Sequence, residues 1–513
     1  MGGIKINAEQ IQTGPKTINP QGSLWQAKTN PAPLRPALQG REKTRTAVIG
    51  GGMAGILTAW LLKEAGEEAL VLEAAEIGSG QTGRTTAKIT SQHGLIYGRL
   101  LENKDGGGLA AAYAAANQTA LAEYRRIIEG RGIQCGFRQL PAYLYTRENP
   151  EALQAEEKAA RSLGLPAAFT LDTSLPFPVM GALRFDEQAL FQPLDFLRAL
   201  SKELRIYEHT PVIKLEDGQL TTPGGLVEAK QVVFATHYPF LNRPGYYFTR
   251  LHQERSYVLA LKNGPDLGVM YYGVDADGYS FRPAGDYLLF GGENHRTGEN
   301  REGGRYEGLA RAASQLFPGC PVDYAWSAQD CMTPDGIPYA GRYSEDRPEW
   351  YVASGFNKWG MTGSMAAALL LRDLILGREN PWAAAFSPQA PGRLLRPQAA
   401  ENLLSDGLKA VESFGRRLLP AQAAEPAELR ALPQGQGIIS QIQGEKLGLY
   451  RDEAGRLHAV GLTCPHLGCQ LTFNPDEKSW DCPCHGSRFT YTGQLIDNPA
   501  QEGLHHEILP RRQ

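Results

Sequence analysis

Thr46-Ala47-Val48-Ile49-Gly50-Gly51-Gly52-Met53-Ala54-Gly55 opens the stretch that decides the architecture of this chain. A short apolar run enters a G-x-G-x-x-G turn. A helix-patterned segment follows (Ile56, Leu57, Trp60, Leu61, Lys63, Ala65) and closes at Gly66. The run Ala69-Leu70-Val71-Leu72 then ends in Glu73. Strand, glycine turn, helix, strand and acid at this distance predict the start of an α/β dinucleotide site. Gly50 permits the tight turn, Gly52 lets the backbone approach a pyrophosphate, and Gly55 lets the helix pack close to the strand. Met53 and Ala54 open the helix, whose N-terminus stabilises phosphate charge. Glu73 is suited to accept from ribose hydroxyls. A glycine pattern alone is weak; its full context gives it weight.

The turn does not separate FAD from NAD. The deciding stretch is Gly78-Ser79-Gly80-Gln81-Thr82-Gly83-Arg84-Thr85-Thr86-Ala87-Lys88, glycine- and hydroxyl-rich and directly after the acidic strand. It resembles the second phosphate and flavin loop of the D-amino-acid-oxidase family, which includes glycine oxidase, sarcosine oxidase and related amine dehydrogenases. That resemblance implies FAD contacts from Gln81, Thr82, Thr85, Thr86 and Ala87. Three more stretches follow in the family's order. Val212, after Glu208-His209-Thr210-Pro211, corresponds to a backbone contact with adenine. Val232-Val233-Phe234-Ala235-Thr236 resembles the strand that closes the FAD site. The third runs from Thr333-Pro334-Asp335-Gly336 to Gly355-Phe356-Asn357-Lys358-Trp359-Gly360-Met361-Thr362. It is similar to the family's C-terminal flavin strand and helix, with the Gly360–Thr362 turn aiming amides at the flavin pyrimidine oxygen. The implied fold is α/β: a Rossmann-like FAD-binding domain with a mixed-sheet substrate lobe drawn from residues 97–193 and 239–326.

Near the other end the chain reads Cys464-Pro465-His466-Leu467-Gly468-Cys469 and Cys482-Pro483-Cys484-His485-Gly486-Ser487. Two Cys-x-His-type half-sites offer two thiolates for one iron and two imidazoles for another, the ligand spacing of a Rieske [2Fe-2S] centre. Neutral imidazoles reduce the negative charge on the cluster and raise its potential above that of an all-cysteine cluster. A zinc ribbon also uses Cys and His at short spacing. It leaves two cysteines unexplained and does not ask for Gly486-Ser487. The segment resembles the Rieske proteins of cytochrome bc and b6f type. By that resemblance Cys464 and Cys482 bind one iron, His466 and His485 the other, and Cys469 and Cys484 form a disulfide between the cluster loops. Ser487 is kept, but Phe489 stands where high-potential members have a tyrosine that bonds a ligand sulfur. A potential below the respiratory extreme follows.

Together the two resemblances point to fused bacterial FAD-dependent oxidoreductases with a C-terminal all-β Rieske domain. The expected organisation is an irregular arm over 1–43, a flavoprotein domain over 44–377, a linker over 378–429 and the cluster domain over 430–513. The linker carries an amphipathic helix (Leu403, Leu404, Leu408, Val411, Phe414), and short strands fill the end of the chain (437–442, 447–451, 457–462). Length, 42% hydrophobic and 21% charged residues suit a multidomain globular protein. A net charge of −3 gives no sign of nucleic-acid binding. No apolar run approaches a membrane span, no leader pattern opens the chain, and a cytoplasmic location is expected. A disulfide is unusual there. Cys135, Cys320 and Cys331 are expected as free thiols.

The resemblance implies oxidation of a small amine or amino acid at FAD, then single-electron transfer through the cluster to an external acceptor. The exit is expected at solvent-side imidazoles of His466 and His485. No catalytic residue is assigned. Arg282, Tyr257 and Tyr279 are candidates for substrate contacts, and Lys358 and Trp359 for the cavity wall. Cys331 lies in the general neighbourhood of the cysteine that binds FAD covalently in sarcosine oxidases, but at a shorter spacing, which favours non-covalent FAD. The stretch 290–295 offers no lysine of the kind that activates O2 in those oxidases, which favours a dehydrogenase. An amine oxidase using O2, or a redox sensor whose cluster does not turn over, is the alternative. With ten histidines and no further clustered pair, a Rieske oxygenase is disfavoured.

Overall fold

The computed structural model describes residues 22–509 apart from 31–32, 34, 103–105 and 419–425. Ala47, Val48, Ile49 and all of Ala69–Leu72 are buried, as strands covered on both faces must be. Gly40–Ile49 lies between two parallel neighbours, Gly225–Phe234 and Ala69–Leu72, with Arg205–Tyr207 beyond the latter. The far edge of Gly225–Phe234 is shared. Its first half pairs with Gln219–Thr222 and its end with Arg347–Ser354. The helices Met53–Glu64 and Gly360–Ile375 pack together against this sheet. Both are buried almost all round, which is why their apolar pattern is continuous rather than one-sided.

The expected irregular arm is partly regular. Ser23 and Gln26 form a capping box for the helix Leu24–Lys28, and Trp25 is buried with its Nε1 donating to the Thr85 carbonyl at 2.6 Å. The central strand begins at Gly40, opposite Gly225. So short a helix has no period to read, and the exposed first half of the strand lacks an apolar run. Residues 1–21 lie outside the described residues.

A second eight-stranded sheet forms the other lobe. Its order is Val322–Met332, His252–Lys262, Tyr287–Arg296, Ser280–Ala284, Met270–Gly273, Ala142–Thr146, Gly181–Phe185, Ala167–Thr170. Met270–Gly273 and Ala142–Thr146 run parallel and the other pairs antiparallel. The C-terminal segment builds two four-stranded antiparallel sheets, starting with the hairpin Gly437–Ile442 and Glu445–Arg451.

The linker helix Pro397–Leu418 is amphipathic as its sequence predicts, yet turned polar edge inward. Asp406 pairs with Arg296 and His252, and Lys409 with Glu299, while Leu404, Leu408 and Val411 face solvent. Ion pairs with the second sheet fix this orientation.

The C-terminal sheets dock on the second sheet through a buried charge network. Arg255, fully buried, donates through Nε to Glu477 at 3.1 Å and through Nη2 to Glu477 and Ser327. Arg488 joins Glu477 (2.5 Å), Asp481 (3.1 Å) and Asp497 (3.0 Å). Asp476 accepts from the amides of Gly304 and Arg305, capping the helix Arg305–Leu316 from the neighbouring domain. Burial alone would raise the Glu477 carboxyl, but Arg255 and Arg488 hold it well below the usual range.

Glu477→Ala leaves two buried guanidinium groups short of a partner and is expected to cost about 3–5 kcal/mol, read by denaturant unfolding of the holoprotein. Because the folded carboxyl is depressed, its contribution is full above the unfolded value of about 4.3 and is lost as pH falls below it. An unchanged midpoint would contradict this role for the network.

Candidate functional site

A cavity of about 840 Å3 lies between the two large sheets, bordered by the C-terminal domain. The glycine turn forms one end. Gly50 adopts φ +109°, and a Cβ there would fall 2.4 Å from the Ala235 carbonyl oxygen; one on Gly55 would fall 1.9 Å from that of Gly50. A Cβ on Gly52 would meet protein only at Thr82 Oγ1, 3.3 Å away, and otherwise points into the cavity. This is the cradle that a pyrophosphate needs. The Met53 amide donates to Thr82 Oγ1 at 2.9 Å. Glu73 accepts from the amides of Gly51 (2.6 Å) and Ala75 (2.8 Å), so its carboxylate braces the turn as well as facing the cavity.

Of the residues singled out from sequence, Gly50, Gly52, Met53, Ala54, Glu73 and Val212 line the cavity. So do Gln81, Thr82, Thr85, Thr86, Thr236, Trp359, Gly360 and Met361. Four do not line it. Gly55 is spent on helix–strand packing. Ala87 is fully buried at φ +55°, shaping the loop. Gly355 packs on Thr333, where a Cβ would fall 2.3 Å from Cγ2. The Thr362 hydroxyl is engaged by the Thr90 backbone at 2.8 and 2.9 Å.

Tyr257 reaches the cavity wall, as do Lys358 and Trp359. Arg282 and Tyr279 do not. Arg282 lies under the Trp25 ring, donating to the Phe191 carbonyl, and Tyr279 packs on Phe290. Lys88 emerged only from the structure. Its Nζ lies 2.5 Å from Ser280 Oγ and 3.3 Å from Thr86 Oγ1, and burial, helped by Arg282, pushes it down to about 7. Lys358 is paired with Glu254 at 2.9 Å. Cys331 is a free thiol on the wall, and burial pushes it up to about 12, which keeps it protonated.

The second site lies in the C-terminal domain. Cys469 and Cys484 are disulfide-bonded, and the Cys482 sulfur lies with theirs in a group spanning less than 4.8 Å. Cys464 and Cys482 are neighbouring free thiols. The Cys482 thiol, and then the His466 and Leu467 amides, hold Cys464 below its ordinary range. The His466 and His485 rings stand at right angles, 4.9 Å apart. Both Nδ1 atoms are buried with no hydrogen-bond partner, an arrangement that a pair of metal–nitrogen bonds satisfies. Burial pushes His466 down to about 4 and His485 to about 3, keeping both imidazoles neutral. Phe489 is fully buried, so no hydroxyl reaches the sulfurs from that position.

The imidazoles, expected from sequence on the solvent side, pack against the flavoprotein lobe, His485 buried and His466 half-buried. His466 Nε2 donates to Asn242 Oδ1 at 2.7 Å, and the Phe248 ring stands edge-on to both imidazoles at 6.3 and 6.0 Å. Arg296 donates to the carbonyls of Pro483 and Cys484, both at 3.2 Å. The cluster loops are thus seated on the flavoprotein lobe. The reverse is also true: Leu495, Ile496, Asp497 and Asn498 border the large cavity. Asp497 accepts from Gln81 at 3.0 Å, and Asn498 donates to the carbonyls of Thr236 (2.9 Å) and Tyr238 (2.7 Å). Pairings between segments so distant in sequence carry no local signal.

Residues 45–374 match the family described as FAD dependent oxidoreductase, and residues 423–507 match the Rieske [2Fe-2S] domain. YhfW of Bacillus subtilis (strain 168), named as a Rieske 2Fe-2S iron-sulfur protein, is 34% identical over 504 residues, covering 94% of this chain and 96% of its own. Glycine oxidase of Bacillus licheniformis is 25% identical over 381 residues, covering 68% of this chain and 98% of its own. Among solved structures, L-proline dehydrogenase from P. horikoshii superposes with a TM-score of 0.58 at 18% identity, covering 68% of this chain and 97% of that one. Its likeness is one of fold. No helix among the described residues is long and apolar enough to cross a membrane.

Cys482→Ser is expected to abolish the cluster's visible absorbance and its paramagnetic signal on reduction while FAD still binds. Because the cluster loop braces one wall of the cavity, the FAD dissociation constant should rise about 10-fold, the low end for loss of a supporting contact. Equilibrium dialysis checks it; complete loss of FAD, or unchanged affinity, would contradict the arrangement.

Proposed function

The chain belongs to the FAD dependent oxidoreductase family and carries a Rieske domain, and on that footing we propose that it is an amine or amino-acid dehydrogenase with an internal electron relay. The cofactors are FAD and a 2Fe-2S cluster. One observation carries the relay: Gln329, which lines the cavity, donates through Nε2 to the Gly486 carbonyl of the cluster loop at 2.8 Å. The substrates in the names of a glycine oxidase relative and an L-proline dehydrogenase neighbour support a small amine or amino acid as substrate.

In this reading Gly50, Gly52, Met53 and Thr82 hold the FAD pyrophosphate, Glu73 and Val212 its adenosine part, and Trp359 to Met361 border the flavin ring. Cys464, Cys482, His466 and His485 hold the iron. Bound FAD supplies a two-electron acceptor for a hydride equivalent, and the cluster supplies a one-electron acceptor. An amine arrives largely as an ammonium ion and must lose a proton before its C–H bond can give up a hydride. Lys88, pushed down to about 7 by burial and held by Ser280 and Thr86, accepts that proton at Nζ from its unprotonated form. Tyr257 and Tyr272 wall the substrate side, and protonated Cys331 leaves FAD non-covalent. Lys358 is paired with Glu254 and so is not the free cation that stabilises developing superoxide, which favours a dehydrogenase. Electrons then leave the cluster for an external one-electron acceptor.

An anaerobic screen of amines and amino acids for bleaching of the flavin band identifies the substrate. With it, the rate of flavin reduction should rise as pH increases through about 7, because Lys88 must be unprotonated. Lys88→Met should cut that rate by about 10²–10⁴-fold and remove the limb. An unchanged pH profile would exclude Lys88 as the base. Hydrogen peroxide formed at the rate of substrate turnover, with the cluster left oxidised, would make the enzyme an oxidase.

A further inference from the structure

Between the cavity and the cluster stand two fully buried amide side chains, Gln253 and Gln329. Gln253, on the strand His252–Lys262, is 1% exposed and pairs across the sheet with Cys331 of the cavity wall. Its Nε2 donates to the His485 carbonyl at 2.7 Å and to the Asn498 carbonyl at 2.9 Å. Its Oε1 accepts from Gln329 Nε2 at 2.7 Å and from His237 Nε2 at 3.0 Å. All four hydrogen-bonding positions of the amide are therefore used, which fixes its orientation. His237, Gln329 and Asn498 line the cavity, whereas His485 and Gly486 belong to the cluster loop. Gln329 spans the same gap, its Nε2 donating to the Gly486 carbonyl at 2.8 Å and its backbone amide donating to Gln81 Oε1 at 2.7 Å.

The surrounding backbone is shaped to this contact. Gly486 has φ +81°, and a Cβ there would fall 2.6 Å from Gln253 Cβ, so no larger residue lets the loop come this close. His237 adopts φ +66°, a conformation unfavourable for a non-glycine residue, and thereby turns its ring onto Gln253. A merely structural contact between two domains needs neither a glycine at closest approach nor a strained histidine. The charge network at Arg255 already holds the domains together nearby.

We infer that Gln253 is the positioning residue of the internal relay, coupling the FAD cavity to the His485 side of the cluster through hydrogen bonds. The inference rests on the proposed transfer from FAD to iron. Tunnelling falls off less steeply through covalent and hydrogen bonds than across a gap of equal width. The route from the cavity runs through His237 or Gln329, across the Gln253 amide, to the His485 carbonyl and its own coordinating ring. Each passage moves one electron from reduced FAD to the oxidised cluster, reducing one ferric ion; two passages, with the cluster reoxidised by the external acceptor between them, return FAD to its oxidised form. The protons lost by reduced FAD go to solvent.

The test uses the holoprotein with a flash-generated deazaflavin radical as one-electron donor to FAD. Recovery of the FAD absorbance and bleaching of the cluster bands are followed together. In the wild type the two should be synchronous. Gln253→Met keeps the side-chain volume and removes all four hydrogen bonds; transfer should slow about 10-fold or more, the range typical for loss of a supporting contact at a metal site. The cluster's paramagnetic spectrum, both midpoint potentials and the FAD and iron contents should stay unchanged, which a general loosening of the interface would not allow. Gln253→Glu, should the methionine variant fail to fold, keeps the acceptor to His237 and Gln329 but not the donors to the cluster loop, and should also slow transfer. Unaltered transfer in a folded, fully loaded variant overturns the bridge while leaving the relay intact. Absence of transfer in the wild type overturns the relay and the bridge with it.

Discussion

A guanidinium group with no exposed surface is costly unless its charge is met, and Arg255 is met across a domain boundary. Its partners are Glu477 in the cluster domain and Ser327 and Gln329 on the adjacent strand. Arg488 then neutralises the remaining carboxylates, Asp481 and Asp497. Buried networks of this kind contribute little net stability when intact, because desolvation offsets attraction, but they are severe when broken. Their value lies in register: only one relative placement of the domains satisfies every charge. That placement puts Asp497 against Gln81 and Asn498 against the Thr236 and Tyr238 carbonyls, and it seats the cluster loops on Gln253 and Arg296.

The consequence for function is that the two redox sites are neighbours by construction. A Rieske centre that delivers electrons through exposed imidazoles must leave those rings accessible. Here Asn242 and Phe248 pack against them, leaving His485 buried and His466 half-buried, so part of the surface through which such a centre meets a partner is used inside the molecule. Neutral imidazoles raise the potential of such a cluster and the lack of a hydroxyl at Phe489 lowers it, an order that supports the proposed flow from flavin to iron.

The separate parts were legible in the sequence because each has a local cause. The glycine turn at Gly50–Gly55, the aliphatic strand before it and the acid after the next strand lie within thirty residues and obey fixed stereochemistry. The cluster ligands and the Cys469–Cys484 pair likewise sit in two short loops. What the sequence withheld depends on distance along the chain. Asp476 caps a helix that begins at Arg305, and Gln253 meets His485; nothing local marks either pairing. Lys88 could have been noticed, since it ends the flavin loop, but its neutral state comes from burial beside Arg282 on another sheet strand. Arg282 looked like a substrate contact because it is charged and central; the Trp25 ring from the amino-terminal arm takes it instead.

The central claim is that the imidazole face of the cluster is seated on the flavoprotein lobe, with His485 buried and His466 half-buried. Diethyl pyrocarbonate, which carbethoxylates accessible neutral imidazoles, tests it in the oxidised holoprotein when the modified sites are mapped by mass spectrometry. His505, whose side chain is 76% exposed, is the internal reference. The account predicts that His505 reacts while His466 and His485 stay unmodified, and that Glu477→Ala, by loosening the interface, opens both to the reagent. Modification of His466 or His485 as fast as His505 in the wild type would contradict it.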